Sequence, residues 1–327
     1  MPLLEVEGLQ VHFGRDDIRV QALHDVDLTI EQGEIVGLVG ESGSGKTVTS
    51  LALMGLLDPK TAHITGRAVL DGKPLWDEDG GRRTPRSDVP MAMVFQEPMT
   101  ALDPVFTVGS QLMETLRIRR GMAKSAARAE ALSLLDAVGI SDPKARLRAY
   151  PHELSGGMRQ RVMIAIALAC DPKLLIADEP TTAVDVTIQA QLLDLIKSLA
   201  KERGMSVLFV THDLGVVSET CDRMITMYAG RIVERGPVDQ VLKSPGHPYT
   251  AGLLAALPST ESRGGRLATI PGRVPPPGER VEGCVFRPRC PYAREECTQP
   301  QELIPLTDLR EVRCIRSPEL DFEGVAS

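Results

Sequence analysis

The octet Gly40-Glu41-Ser42-Gly43-Ser44-Gly45-Lys46-Thr47 has the spacing of a loop that holds a polyphosphate. Glycines let the chain curl so that successive backbone N–H groups face one anion, and a helix start just after them adds positive potential. In such a loop Lys46 reaches the β- and γ-phosphates and the Thr47 hydroxyl ligates Mg2+. Ordinary glycine-rich turns share parts of this pattern, so context decides. The octet follows a short apolar run, Glu34 to Gly40, and opens a helical pattern from Lys46 to Leu57, which is the setting that nucleotide binding requires. Asp178 and Glu179 end a second apolar run that begins at Lys173. A carboxylate at that strand end can bind Mg2+ through water, and its neighbour can polarise an attacking water. Alone, Asp-Glu-Pro reads as a turn before a helix; beside a phosphate loop it reads as catalytic.

The cysteines are the second chemical feature. Of six in the chain, Cys170 and Cys221 stand in apolar surroundings and read as small core residues. Cys284, Cys290, Cys297 and Cys314 fall within 31 residues, with five, six and sixteen residues between them. The N-terminus lacks a basic region followed by an apolar one, so no signal peptide is expected and the chain reads as cytosolic. A disulfide framework is disfavoured there, and the cluster points to metal or redox chemistry. The spacing is unlike the paired short knuckles of structural zinc, although zinc and free thiols stay open beside an iron–sulfur centre.

Leu154-Ser155-Gly156-Gly157-Met158-Arg159-Gln160-Arg161, 23 residues before Asp178 when counted from Ser155, resembles the signature motif of ATP-binding-cassette (ABC) ATPases. Gln96 in Val-Phe-Gln-Glu-Pro resembles their Q-loop, Ala183-Val184-Asp185 their D-loop and Thr211-His212-Asp213 their H-loop, all in family order. The departures, Met158 where Gln is commonest and Val184 where Leu is usual, remove no phosphate ligand. The resemblance implies that Phe13 stacks on adenine, that Ser155, Gly156 and Gly157 hold the γ-phosphate bound to a partner cassette, and that Gln96 senses Mg2+ and water. It also implies that Asp185 serves the D-loop and that His212 contacts the γ-phosphate and orients Glu179 or water. Ser155 opens a predicted helix and is expected to cap it as well.

Pro245-Gly-His247-Pro248-Tyr249-Thr250-x-x-Leu253-Leu254, continued by the cysteine segment through Cys314, resembles the C-terminal extension of peptide/nickel importer ATP-binding subunits. Members of that group with the same four cysteines are thought to carry a [4Fe–4S] cluster, which makes these four the implied ligands. Their Pro-flanked neighbour His247 is read as a turn residue. The group further implies two transmembrane permease subunits, a second cassette in a heterodimer or a homodimer, and an extracytoplasmic substrate-binding protein reached through the permeases. The place of action is then peripheral, on the cytoplasmic face of the cell membrane. The substrate is a di- or oligopeptide, with nickel or another small solute as the alternative. A soluble ABC ATPase acting on ribosomes, DNA repair or cluster assembly is the rival from another class. Its members bring coiled coils, zinc insertions or two cassettes per chain, none of which the sequence displays.

Elements must hold these groups in place. Buried apolar runs at Glu34–Gly40, Lys173–Asp178 and Ser206–Thr211, set among helical patterns, predict an α/β P-loop NTPase core with a parallel sheet. Leu4–Val11 and Leu23–Ile30 alternate as half-buried strands. Val108–Arg120, Ala123–Val138 and Ser155–Cys170 form helices of an inserted helical subdomain at about residues 97–170. The expected division is an ATP-binding domain at 1–245 and a small Cys-rich extension at 246–327, with the four cysteines at 284–314. Residues 77–88 read as a solvated charged loop, 258–283 as an extended Gly/Pro linker, and Arg117–Lys124 as a solvated helix face. Aromatics are only 3%, which predicts an aliphatic core. The longest apolar stretch, Val162–Cys170, is nine residues against the ~20 of a membrane span, so no bilayer crossing is expected. A net charge of −7 argues against general DNA coating, and nucleic acid is not an expected partner.

Overall fold

The computed structural model describes residues 2–15, 18–76, 89–95, 101–180, 185–257, 269–279, 282–322 and 324. Along the chain run β1 (Leu4–Arg15), β2 (Ile18–Ile30), β3 (Ile35–Val39), α1 (Lys46–Leu53), β4 (Ala62–Leu70), β5 (Lys73–Pro74) and β6 (Met91–Val94). Then come α2 (Val108–Arg120), α3 (Lys124–Ala137), a single turn at Pro143–Arg146, α4 (Gly156–Ala169), β7 (Leu174–Asp178), α5 (Val186–Arg203) and β8 (Ser206–Thr211). The chain continues through α6 (Leu214–Thr220), β9 (Arg223–Tyr228), β10 (Arg231–Pro237), α7 (Val238–Lys243), α8 (Pro248–Ala255), β11 (Ile304–Thr307) and β12 (Arg310–Val312). Two compact units form. The first comprises Met1–Ile30, Glu34–Arg83 and Phe209–Ser327, and the second Glu31–Gly33 and Thr84–Leu208.

In the first unit β2-β1-β4-β5 make an antiparallel sheet, and β11-β12-β10-β9-β3 follow one another in a second sheet. β3 pairs with β9 in parallel, and every residue of β3 is buried, as its unbroken apolar run predicts. β1 and β2 are longer than the alternation implies. Register shifts between Val6 and Leu9, Leu9 and Val11, and Val11 and His12 interrupt the period of two without ending the pairing. α1 is shorter than its pattern because Gly55, at φ 62°, takes the left-handed conformation after it. Leu56 N–H then bonds Leu51 C=O at 2.8 Å and Gly55 N–H bonds Ala52 C=O at 2.9 Å, a Schellman cap. The cysteine-bearing tail is stitched into this unit by β12, which registers Val312 and Glu311 against Glu234 and Arg235 of β10.

The second unit contains the predicted helical insertion. α2 begins on Thr107, whose hydroxyl accepts from Ser110 N–H, and ends at Gly121 with Arg117, Arg119 and Arg120 in its last turn. Those cations complement the negative end of the helix. α4 is apolar on most sides, and Val162, Ile164, Ala165 and Leu168 are buried in the middle of the unit. β7 pairs with β6 in parallel. None of the described helices is long and apolar enough to cross a membrane.

Two expectations need correction. The core is aliphatic over most of its extent, but Tyr228, Tyr249 and Phe286 pack together at ring separations of 4.7, 5.2 and 5.3 Å. The scarce aromatics are thus concentrated where the tail meets β9, because large rings fill an irregular junction that short aliphatics would leave open. Cys170 and Cys221 are half-buried, with Cys221 packed at the edge of a cluster that includes Val39, Val217 and Met224. The loop at 77–88 and the linker portions 258–268 and 280–281 lie outside the described residues; 269–279 adopt neither helix nor strand.

One buried charge fixes the junction between β10 and the tail. Glu234 is fully buried; its carboxylate accepts from Gly246 N–H at 2.7 Å, His247 N–H at 3.0 Å and the Arg310 guanidinium at 3.1 Å. Burial pushes its pKa up, against the pull of those donors. Removing one partner of such a pair strands the other in an apolar setting, typically at 3–5 kcal/mol. Glu234→Ala is therefore expected to lower unfolding stability by about 3 kcal/mol in denaturant titrations.

Candidate functional site

The phosphate loop is built from residues of the first unit. β3 ends at Val39, and Gly40 turns at φ 154°. A Cβ there would lie 2.2 Å from the Met227 carbonyl oxygen, so only glycine allows the loop to pass so close to β9. Ser44 C=O accepts from Gly230 N–H at 2.7 Å, tying the loop to the β9–β10 turn as well. Lys46 is buried, and its ammonium donates to the carbonyls of Gly40 at 2.7 Å and Glu41 at 3.1 Å. Ser42, Gly43 and Thr47 are exposed, so the hydroxyl expected to ligate Mg2+ is accessible at the first turn of α1.

Two other expected residues belong to this unit. Phe13 is half-buried in β1, paired with Val20 and Ala62. His212 is exposed directly after β8. Its turn is held by Asp213, whose N–H bonds the Thr211 hydroxyl at 3.0 Å and whose carboxylate caps α6 through Gly215 and Val216 N–H groups.

The second unit carries the acidic and signature residues. Asp178 is buried at the end of β7. Glu179 follows at φ 45°, a left-handed backbone that costs a non-glycine residue of order 1–3 kcal/mol and is found where function demands it. Ser155 caps α4 as predicted, its hydroxyl accepting from Met158 N–H at 3.3 Å. Nothing stands within 4 Å of where a Gly156 side chain would begin, and a Cβ on Gly157 would meet the Ile188 side chain at 3.1 Å. The helix start is thus open at Gly156, where its dipole favours an anion. Asp185 caps α5 by accepting from Ile188 N–H at 2.9 Å. Gln96 and the D-loop residues Ala183 and Val184 lie outside the described residues.

Cys284, Cys290, Cys297 and Cys314 are all unpaired thiols and all line one small cavity, together with His247, Arg287 and Arg316. Gly283, at φ 74°, brings its backbone so close that a Cβ would lie 2.2 Å from the Cys297 carbonyl, and Cys284 N–H bonds that same carbonyl at 2.9 Å. Four soft donors around one space suit a thiolate-bound metal centre by chemistry. Among the described residues, however, no three His, Cys, Asp or Glu side chains stand close enough together to hold a metal ion. His247 caps α8, its Nδ1 accepting from Tyr249 N–H at 3.0 Å, in keeping with a turn role; burial drives its pKa down to about 3.

Sequence patterns passed over two residues that touch the phosphate loop. The Tyr249 hydroxyl accepts from Glu41 N–H at 2.8 Å, and Arg289 pairs with the Glu41 carboxylate. Arg289 stands among several arginines of the cysteine segment, and no spacing rule singles it out.

Comparisons with known proteins identify the family and the fold. The ABC transporter family model matches residues 23–182, and that of the oligopeptide/dipeptide transporter C-terminal region matches residues 233–297. A proposed peptide import ATP-binding protein of Brucella abortus (strain 2308) is 51% identical over 336 residues, covering 98% of each chain. Another so described, from Brucella suis biovar 1, is 49% identical and covers 96% of this chain and 94% of its own. Among solved structures, cbiO1 from Clostridium perfringens, part of the ABC transporter complex cbiONQ, superposes with TM-score 0.61 at 27% identity, over 73% of this chain and 90% of its own. The ATP-binding cassette MJ0796, in a dimeric post-hydrolysis state with ADP and phosphate, gives TM-score 0.62 at 28% identity, over 72% of this chain and 98% of its own.

The cysteine cavity has a measurable signature. Burial raises the pKa of Cys284, Cys290 and Cys314, the last to about 11. Alkylation proceeds through the thiolate, so a raised pKa slows it at any pH below that value. In metal-free protein at pH 8, Cys314 is expected to react with iodoacetamide about 100-fold more slowly than in the unfolded chain. Mass spectrometry of the labelled peptides should show its rate still rising with pH up to about 11.

Proposed function

The chain belongs to the ABC transporter ATPases, and we propose that it hydrolyses ATP to drive a membrane importer for di- or oligopeptides. The observation that carries this reading is the phosphate loop formed between β3 and α1, in a chain that matches proposed peptide import ATP-binding proteins over nearly its whole length. The match to the oligopeptide/dipeptide C-terminal region favours import over a soluble role on ribosomes, DNA repair or cluster assembly. Residues 1–245 are read as the ATP-binding domain and 246–327 as the transporter-type extension.

Each residue then has a task. Lys46 exchanges its carbonyl partners for the β- and γ-phosphates, and backbone N–H groups of the loop from Ser42 to Thr47 hold their oxygens. Thr47, Asp178 and Gln96 would hold Mg2+, which supplies neutralisation of phosphate charge when bound. Glu179 accepts a proton from the attacking water, and His212 orients that water or the γ-phosphate. Phe13 gives adenine a face to stack on. The bare start of α4 at Ser155, Gly156 and Gly157 closes on the γ-phosphate of a second cassette, in a heterodimer or a homodimer, with Asp185 at the D-loop.

Docking on two permeases is supported by apolar surface on the second unit. Val105, Phe106 and Ile118 are 70%, 55% and 69% exposed. A groove at the C-terminal end of α2 is lined by Glu114, Arg117, Ile118, Gly121 and Met122. Large apolar side chains left in solvent are available to a protein interface. On this reading the chain acts peripherally, at the cytoplasmic face of the membrane, and reaches an extracytoplasmic binding protein only through the permeases. For the cysteines we propose a [4Fe–4S] cluster held by Cys284, Cys290, Cys297 and Cys314, serving as a structural or regulatory staple, with zinc as the second choice.

Glu179→Gln is expected to retain ATP and to lose hydrolysis by at least about 100-fold; full turnover in that variant would overturn the catalytic assignment. Gentle detergent purification from native membranes should recover two permease subunits, and Phe106→Asp with Ile118→Asp should release them; ribosomal proteins in their place would refute the transporter reading. Anaerobically purified protein should contain about four irons per chain, and an iron-free sample with four reactive thiols would remove the cluster.

A further inference from the structure

The first variable residue of the phosphate loop, Glu41, has every polar group engaged. Its carbonyl accepts from Lys46 Nζ at 3.1 Å and from Ser44 N–H at 3.2 Å, both inside the loop. Its N–H and its carboxylate, by contrast, are taken by residues some two hundred positions later. The Tyr249 hydroxyl accepts the N–H at 2.8 Å. Arg289 grips the carboxylate with two parallel bonds, Nη1 to Oε2 at 2.6 Å and Nη2 to Oε1 at 3.1 Å. Bidentate pairs of this kind fix orientation as well as position.

Arg289 is itself closely held. Its side chain is 5% exposed, its Nε donates to Pro271 C=O at 2.7 Å and its Nη2 also donates to Ile270 C=O at 3.2 Å. The guanidinium carbon lies 5.7 Å from the centre of the Tyr228 ring. It ends the short turn Arg287–Arg289, and the next residue is Cys290. Tyr249 packs on Phe286, two residues after Cys284. Both groups that hold Glu41 are therefore anchored in the shell of the cysteine cavity. A displacement of Cys290 moves the adjoining Arg289, and with it one wall of the loop that receives phosphate.

We propose that Arg289 and Tyr249 are positioning residues for the phosphate loop, and that the four-cysteine segment sets the loop's nucleotide affinity through the Arg289–Glu41 pair. The proposal rests on the ATP-binding reading above. A simple structural staple would alter the melting temperature and leave the nucleotide affinity of the folded protein unchanged; a positioning role moves affinity.

The test is the Kd for a fluorescent ATP analogue, with KM and kcat for ATP, on the full chain. Arg289→Met is expected to raise Kd and KM about tenfold with kcat within about twofold. Arg289→Lys, which keeps the charge but loses the fork, should recover part of that loss. Glu41→Gln should resemble Arg289→Met, and the double variant should be no weaker than either single one, because both remove the same contact. Cys290→Ser should weaken binding several-fold in the native background and have no further effect beside Arg289→Met. Wild-type Kd in folded Arg289→Met, additive losses in the double variant, or an equal Cys290→Ser effect in both backgrounds would each overturn the proposal. If Arg289→Met does not fold, Arg289→Lys and Glu41→Gln decide it by the same criteria. Wild-type protein that fails to bind the analogue would instead refute the ATP-binding reading, so the two failures are distinct.

Discussion

The close passage of Gly40 over the Met227 carbonyl is the contact on which the nucleotide loop depends. A strand buried on both faces has to leave its sheet without a side chain in the way, and then present backbone N–H groups outward instead of spending them on its neighbours. The β9–β10 turn meets the loop from below, with Gly230 N–H bonded to Ser44 C=O and its own C=O accepting from His24 N–H at 2.9 Å. Behind Gly40 and Ser44 the loop is thereby supported by peptide groups, while the side chains of Tyr249 and Arg289 hold it at Glu41. A support made of peptide groups has few rotamers to lose, so the loop is pre-formed for an anion and little ordering has to accompany binding.

The parts of the fold that sequence made legible are those where one physical rule dominates. β8 and α2 match their predicted bounds to the residue, since an unbroken apolar run and a Thr107-to-Gly121 frame leave little choice. Ser155 as a cap was readable for the same reason. β9 and β10 were not anticipated, because Arg223–Tyr228 mixes methionine, threonine and arginine and its burial comes from its neighbours, not from its own pattern. The bulges in β1 hid its length. The residues proposed to hold phosphate were legible as motifs, whereas the contacts that Tyr249 and Arg289 make with the loop were not, since these arise only across more than 200 residues of chain.

The cysteine segment illustrates how a small region lacking its own core can be made definite. It contributes two short strands, the Phe286 ring and the buried side chains of Arg289 and Arg310 to a unit that already has a sheet, and in return that unit encloses its thiols. Burial disfavours thiolates, and four of them in one cavity would repel each other, so the cysteines rest as neutral thiols unless positive charge offsets them. Arg287 and Arg316 in the lining supply part of it, and a bound cation or cluster would supply the rest.

Glu179 has a consequence for how this protein can be improved. Its left-handed backbone suits glycine or asparagine better than glutamate, so the residue proposed to activate water is also one at which the chain is locally ill at ease. A search for more heat-resistant versions, run without regard to activity, will find this position early and, under the proposed role, will reward replacements that hydrolyse nothing. Robustness and turnover compete here at a single peptide unit, and the glutamate marks the side on which the competition has been settled.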